Sequence, residues 1–261
     1  MRQYIVDAFT DRVFTGNPAA VCLPDRPLPD EIMLKIAAEN RLSETAFLVK
    51  EGKHWRLRWF TPAAEIDLCG HATLATAFVV LTFLRPEAES VAFESLSGSL
   101  TVRREGGTYW MDFPAYGLQE VPVTDAMADA LGVRPVQALM GRDLVCVLER
   151  EEAVRRLRPD LAKISALEGL LVHVTAPGRT YDAVSRSFAP KIGIDEDPVC
   201  GSGHCHIFPY WAAKLGKTTL SGHQASARGG DLEGRLADGR VTLGGRAVLF
   251  SQGEIFLPER V

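Results

Sequence analysis

No segment of the 261-residue sequence reaches the roughly 18–20 uninterrupted apolar residues that a membrane-spanning helix requires, so no span is expected. Nor is there an excess of positive charge. Lys and Arg number 29 against 33 Asp and Glu, the formal net charge is −4, and no dense Lys/Arg cluster occurs. Nucleic-acid and membrane-surface proteins usually carry such a basic patch, so neither partner is expected. The opening MRQYIVDAFT has no apolar core behind a basic stub, and a secretory leader is therefore not expected. Cysteine is scarce. Its five residues, odd in number and irregular in spacing, suit reduced thiols rather than a disulfide framework. Together these absences point to a cytoplasmic protein.

What is present is the material for a substantial core: 46% apolar residues with 24% charged. The length allows one large domain or two of about 130 residues each. The chain opens with YIVDAF and GNPAAVCL, short apolar segments that read as strands around a turn. PDEIMLKIAAENR spaces Ile32, Met33, Ile36 and Ala37 as a helix does. ETAFLVKEG and WRLRWFT alternate like strands, and DLCGHATLATAFVV then passes from loop to apolar helix, running to about Leu84. The second half repeats the outline. VTDAMADALG predicts a helix capped by Thr124 and ended by Gly132, DLVCVLE a strand, and EEAVRRLRPDLAKISAL one helix. GLLVHVTAPG and YDAVSRSFAP follow as strands, PVCGSGHCHIFPYWAAKLG as a second Cys-Gly helix start, and closing hairpins complete the chain. Cys69 and Cys200 stand half a chain length apart in matching contexts, which predicts a structural repeat of two α/β halves. The expected division is residues 1 to about 115, about 116 to 245, and a last strand within 246–261 that returns to complete the first half.

The two Cys-Gly joints are the chemically pointed features. A helix start leaves backbone N–H groups unpaired and adds partial positive charge, and glycine lets a ligand approach the backbone. Such ends suit a carboxylate, and a cysteine there has its thiolate favoured. Cys22 and Cys146, in mid-strand, read as core packing. Cys200, His204, Cys205 and His206 lie close in sequence, but only Cys200 and His204 share a helical face and no second ligand pair follows, so no metal site is expected. His204 and His206 read as satisfied polar residues. ARGGDLEGR lacks the Lys-Ser/Thr ending of a phosphate loop. Glu44, beside Ser43, reads either as a capping or surface charge or as a carboxyl in the apolar setting of Leu42, Ala46 and Phe47, where desolvation favours proton transfer.

Six segments, taken in order, carry a resemblance that covers nearly the whole chain: DAFTDRVFTGNPAAVC, NRLSETAFL, RWFTPAAEIDLCGHATLATA, SRSFAP, EDPVCGSGHC and SGHQASARGGDLEGR. Together they resemble the PhzF-like isomerase family of phenazine biosynthesis, whose fold is related to diaminopimelate epimerase and proline racemase. The resemblance implies an α/β fold of two similar domains related by pseudo-twofold symmetry, each a curled, mostly antiparallel sheet around a central helix. It implies an active site in the cleft between them, a homodimer, a small anionic substrate, and proton transfer with no cofactor and no metal. It places the general acid/base on Glu44 and its assistants on Asp197, His71 and Ser202. The backbone N–H groups of Gly70, His71, Gly201 and Ser202 are then the expected carboxylate donors.

One feature leaves the proton carrier open. Cys69 and Cys200 fall where the epimerase and racemase relatives carry their two catalytic thiols. Three readings follow. The first is an isomerase using Glu44, the second a two-cysteine racemase or epimerase of an amino or imino acid, and the third a non-catalytic protein that binds an anionic metabolite.

Overall fold

Alternating apolar residues between turn signals become ladders, and the longest apolar runs become the helices those ladders wrap. The computed structural model describes residues 1–257. Its chain falls into two compact units, Met1–Asp112 with the chain from Gly244 on, and Phe113–Leu243.

In the first unit, β1 (Arg2–Ala8) and β2 (Asn17–Leu23) pair antiparallel. The loop between them is held by the Phe14 N–H donating to Asp7 Oδ2 at 2.9 Å. It turns at Gly16, whose φ is +70° and where a side-chain carbon would stand 2.2 Å from the Ala8 carbonyl oxygen. Only glycine fits there. Helix α1 (Asp30–Asn40) buries Met33, Ile36 and Ala37, the face its spacing predicts. Then β3 (Glu44–Glu51) lies parallel to β2, and β4 (His54–Phe60) lies antiparallel to β3. A two-residue strand, β5 (Glu65–Ile66), leads to α2 (Gly70–Val79). Residues 71–77 and Val79 of α2 are all buried, and the helix packs on β1, β2 and β3 as the centre of the unit. It runs on as a wider π turn, Val80–Leu84, to the expected end. Strand β6 (Ser90–Ser95) is parallel to β4, and β7 (Gly98–Glu105) and β8 (Thr108–Pro114) follow as hairpins.

The second unit opens with β9 (Gln119–Val121) and α3 (Asp125–Leu131). The Thr124 hydroxyl accepts from the Met127 N–H at 3.2 Å, and Gly132 ends the helix at φ +71°. Strands β10 (Gln137–Met140) and β11 (Leu144–Val147) come next. The single helix expected from EEAVRRLRPDLAKISAL is two short ones, α4 (Glu151–Arg156) and α5 (Leu161–Ala166). Pro159 disfavours helical backbone at Arg158. Asp160 then caps a fresh start, its Oδ1 accepting from the Ala162 and Lys163 N–H groups, each at 3.1 Å. After β12 (Val172–Pro177), β13 (Ala183–Ala189) and β14 (Ile194–Asp197) comes α6 (Gly201–Leu215), which packs on β13, β15 (Thr219–Gln224) and β16 (Gly230–Ala237). A separate core of Leu131, Leu144, Val154, Ile164, Val174 and Phe188 lies under α3, α4 and α5. Each such side chain contributes about 1.5–3 kcal/mol by leaving water.

The two units share one ladder grammar. Strands β1, β2, β3, β4, β6 and β7 pair in the succession antiparallel, parallel, antiparallel, parallel, antiparallel. Strands β10, β11, β12, β13, β15 and β16 repeat that succession. In each unit the buried helix with the Cys-Gly start sits at the same point of the order, α2 before β6 and α6 before β15. After β17 (Arg240–Gly245), β18 (Ala247–Glu254) pairs antiparallel with β1, Ala8 opposite Ala247. Of the terminal segment 246–261, residues 258–261 lie outside the described residues. Among the described residues no helix is long and apolar enough to cross a membrane.

Candidate active site

Parallel pairing of β2 and β3 sets Ala19 opposite Glu44, the first residue of β3. This brings Glu44 to the start of α2, where Cys69 precedes the first turn. Glu44, Cys69 and His71 are 7%, 6% and 6% exposed. Glu44 is therefore neither a helix-capping residue nor a surface charge. Its Oε2 stands 3.0 Å from His71 Nε2. The two atoms are close without the alignment of a hydrogen bond, and among the described residues neither has another hydrogen-bond partner. His71 Nδ1 is flanked by Asn17 Nδ2 at 3.2 Å and Cys69 Sγ at 3.5 Å.

Burial works against a charged His71, but the Cys69 sulfur and the Glu44 carboxylate outweigh it and hold the imidazole well above its ordinary range. Burial, and then the Glu44 charge, push the Cys69 thiol up. The sulfur is thus uncharged near neutrality, and the carboxylate is the partner that acts on His71. This corrects the expectation that a helix start favours the thiolate: removal from water outweighs the helix end. The result is a buried imidazole and carboxylate face to face, and among the described residues the near carboxylate oxygen has no hydrogen bond to give up before it handles a proton.

The α6 start is built differently. Cys200 Sγ accepts from the Gly203 N–H at 3.3 Å, and the Cys200 N–H donates to Gln224 Oε1 at 2.9 Å. Gln224 Nε2 donates to the Asp197 carbonyl at 2.5 Å, and Asp197 Oδ1 accepts from the Val199 N–H at 3.1 Å. Ser202 Oγ accepts from Arg142 Nη2 at 3.0 Å. Burial and the Asp197 charge push the Cys200 thiol well above its ordinary range, so the thiolate expectation fails here too.

Arg142 is itself fixed. Its Nε and Nη2 donate to Asp143 at 3.0 and 2.6 Å, and Nη1 donates to the Tyr116 hydroxyl at 3.2 Å. Asp143 also bonds His173 Nε2 at 3.0 Å, and His173 Nδ1 meets Ser187 Oγ at 2.9 Å. Burial raises the Asp143 carboxyl, but the bonds from His173 and Arg142 more than reverse this and hold it well below the usual carboxylate range. Gly203 presses on this network: a side-chain carbon there would lie 2.7 Å from His173 Cε1.

His204 is satisfied as expected, with Nδ1 on the Cys200 carbonyl at 2.8 Å and Nε2 beside Ser185 Oγ at 3.2 Å. His206 is only half so. Its Nδ1 donates to the Ser202 carbonyl at 3.0 Å, while Nε2 has no hydrogen-bond partner. Burial and the neighbouring His173 bring the His206 imidazole down to about 4, so it is neutral. Cys22 and Cys146 are fully buried, and burial takes both thiols up to about 12, as core residues.

Sequence reasoning reached Glu44, Cys69, His71, Asp197, Cys200 and Ser202. It missed Asn17, Tyr116, Arg142, Asp143 and His173. Asn17 stood in the quoted GNPAAVC segment. A lone histidine in the apolar GLLVHVT and an Arg-Asp pair at a strand start were the faint signals for the others.

This fold recurs among solved structures. A hydroxyproline epimerase from Agrobacterium vitis, solved with bound trans-4-hydroxy-L-proline, matches 97% of this chain and 91% of its own at a TM-score of 0.62 and 10% identity. The fold is therefore the α/β, diaminopimelate epimerase-like class. A crystal structure of the PhzF family from Enterococcus faecalis matches far more closely, with a TM-score of 0.96 and 49% identity over 98% of this chain and 99% of that one. An uncharacterized isomerase of Pseudomonas aeruginosa is 51% identical over 253 residues, 97% of each chain. The family described as phenazine biosynthesis-like protein matches residues 6–253. The chain belongs to that family, PhzC-PhzF, and is an isomerase.

Proposed function

We propose that the protein moves a proton on a small carboxylate-bearing metabolite, without a cofactor, and that Glu44 is the general acid/base. The observation carrying this reading is the Glu44–His71 contact: two buried groups 3.0 Å apart, each with its facing atom unbonded. Glu44 takes the proton from carbon and returns it to a second atom. His71, facing that carboxylate, balances the charge. The first-turn N–H groups of Gly70, His71, Gly201 and Ser202 hold the substrate carboxylate, as helix starts suit anions. Asp197 and Ser202 assist, with Ser202 oriented by Arg142. A homodimer in the cytoplasm is part of the same reading.

A two-cysteine epimerase using Cys69 and Cys200 is the second reading, supported by Cys69 Sγ lying 3.5 Å from His71 Nδ1. It is the weaker one, because burial keeps both thiols protonated. The test is incubation of wild type and Glu44→Gln with small hydroxy-, amino- and imino-carboxylates in deuterated water. Wild type should exchange one carbon-bound hydrogen without inverting a stereocentre. Glu44→Gln should lose roughly 10²–10⁴ in rate, the usual contribution of a general acid/base. Exchange with inversion that survives in the glutamine variant assigns the chemistry to the thiols.

A further inference from the structure

We propose that Glu44, Cys69 and His71 form a binding site for a thiophilic divalent cation of the Zn²⁺ class. The three residues offer a carboxylate oxygen, a thiol sulfur and an imidazole nitrogen, all within 4.8 Å of one another and all buried. Three such ligands with a fourth position open is a common zinc arrangement, and thiolate with imidazole selects Zn²⁺ over Mg²⁺ or Ca²⁺.

One donor atom from each residue lies within 4.8 Å of the other two, close enough for one ion once the side chains draw in. Zinc bond lengths to sulfur and nitrogen imply a tetrahedral S···N edge of about 3.5 Å and an N···O edge of about 3.3 Å. Cys69 Sγ lies 3.5 Å from His71 Nδ1, and Glu44 Oε2 lies 3.0 Å from His71 Nε2. These contacts are to opposite nitrogens of one ring and so are not two edges of one tetrahedron: an ion takes one nitrogen, and the donor beside the other nitrogen has to move in from within 4.8 Å to reach it. The donors are also available. Among the described residues, Glu44 Oε2 and His71 Nε2 have no hydrogen-bond partner and no Lys or Arg pairs with Glu44.

A second cluster of Asp143, His173 and His206 also brings three donors together. It is closed to a cation. Asp143 Oδ2 already holds Arg142 Nη2 at 2.6 Å and His173 Nε2 at 3.0 Å, and the other His173 nitrogen is on Ser187. A guanidinium at that distance repels a metal ion.

On binding, the Cys69 thiol releases its proton to solvent as the sulfur–metal bond forms, the ligating His71 nitrogen gives up any proton it carries, and the Glu44 carboxylate becomes a ligand. Binding stands apart from the proposed catalytic role. Inhibition of turnover by the ion rests on that role, because a ligated carboxylate carries no proton.

The experiment titrates tag-free, metal-stripped protein with Zn²⁺ by calorimetry and with Co²⁺ as an optical probe. One ion per chain should bind with release of at least one proton, and Co²⁺ should give a thiolate charge-transfer band in the near ultraviolet. Cys69→Ser should abolish the band, Cys200→Ser should leave it, and Glu44→Gln should keep it while weakening affinity at least tenfold. Circular dichroism confirms that each variant is folded. No stoichiometric binding, or a band that survives Cys69→Ser, overturns the site. Zn²⁺ that binds in this way but leaves turnover intact upholds the site and instead sinks Glu44 as the acid/base.

Discussion

Removal of the Asp143 carboxylate tests whether the α6 start is held by its buried polar network. Asp143 is fully buried and accepts four hydrogen bonds. They come from the Leu171 N–H at 3.3 Å, Arg142 Nε at 3.0 Å, Arg142 Nη2 at 2.6 Å and His173 Nε2 at 3.0 Å. Breaking a buried charged pair from one side costs about 3–5 kcal/mol, because the other partner is stranded. His173 would be stranded fully, but the Arg142 side chain is 35% exposed and can recover water. The expected cost of Asp143→Ala is therefore at the low end, about 3 kcal/mol. That corresponds to a fall of about 6–12 °C in Tm for a chain of this size.

Asp143→Asn keeps the shape and one acceptor, and should cost less. The pH dependence has a definite sign. The folded carboxyl is held below its ordinary value of 3.8, so its stabilisation is complete above that value and is lost as pH falls through the folded one. The gap between wild type and Asp143→Asn should narrow as pH is lowered from 5 towards 3. Urea denaturation of the three proteins across that range measures it. Equal stability of wild type and Asp143→Ala at neutral pH, or a gap that stays constant down to pH 3, would refute the reasoning.

Gly203→Ala drives a methyl to 2.7 Å from His173 Cε1 and 2.8 Å from Nδ1, and should cost about 1–3 kcal/mol by overpacking, read from the same denaturation curves. Unchanged stability would mean that His173 has room to move. Cys69→Ser combined with Cys200→Ser should retain turnover to within about tenfold if Glu44 carries the proton. A dead double variant alongside an active Glu44→Gln would transfer the chemistry to the sulfurs.

Local rules wrote a good part of this protein. The Thr124 cap, the Gly132 stop and the apolar face of α1 follow from residues within a few positions of one another, and they formed as expected. The two Cys-Gly helix starts were equally legible, because a loop-to-helix change of period is a short-range signal. Where local reading failed locally, at Pro159, a helical pattern was carried across a residue that stops one.

The site's chemistry is another matter. Asn17, Glu44 and His71 come from β2, β3 and α2, and only the parallel ladder that sets Ala19 opposite Glu44 brings them together. Arg142, Asp143, His173 and Ser202 likewise meet from loop, strand and helix. Sequence alone places a thiol at a helix start and predicts a favoured thiolate. Tertiary burial decides otherwise, because the cost of charging a group depends on the water it has lost and the charges it has met, and both are set by distant parts of the chain.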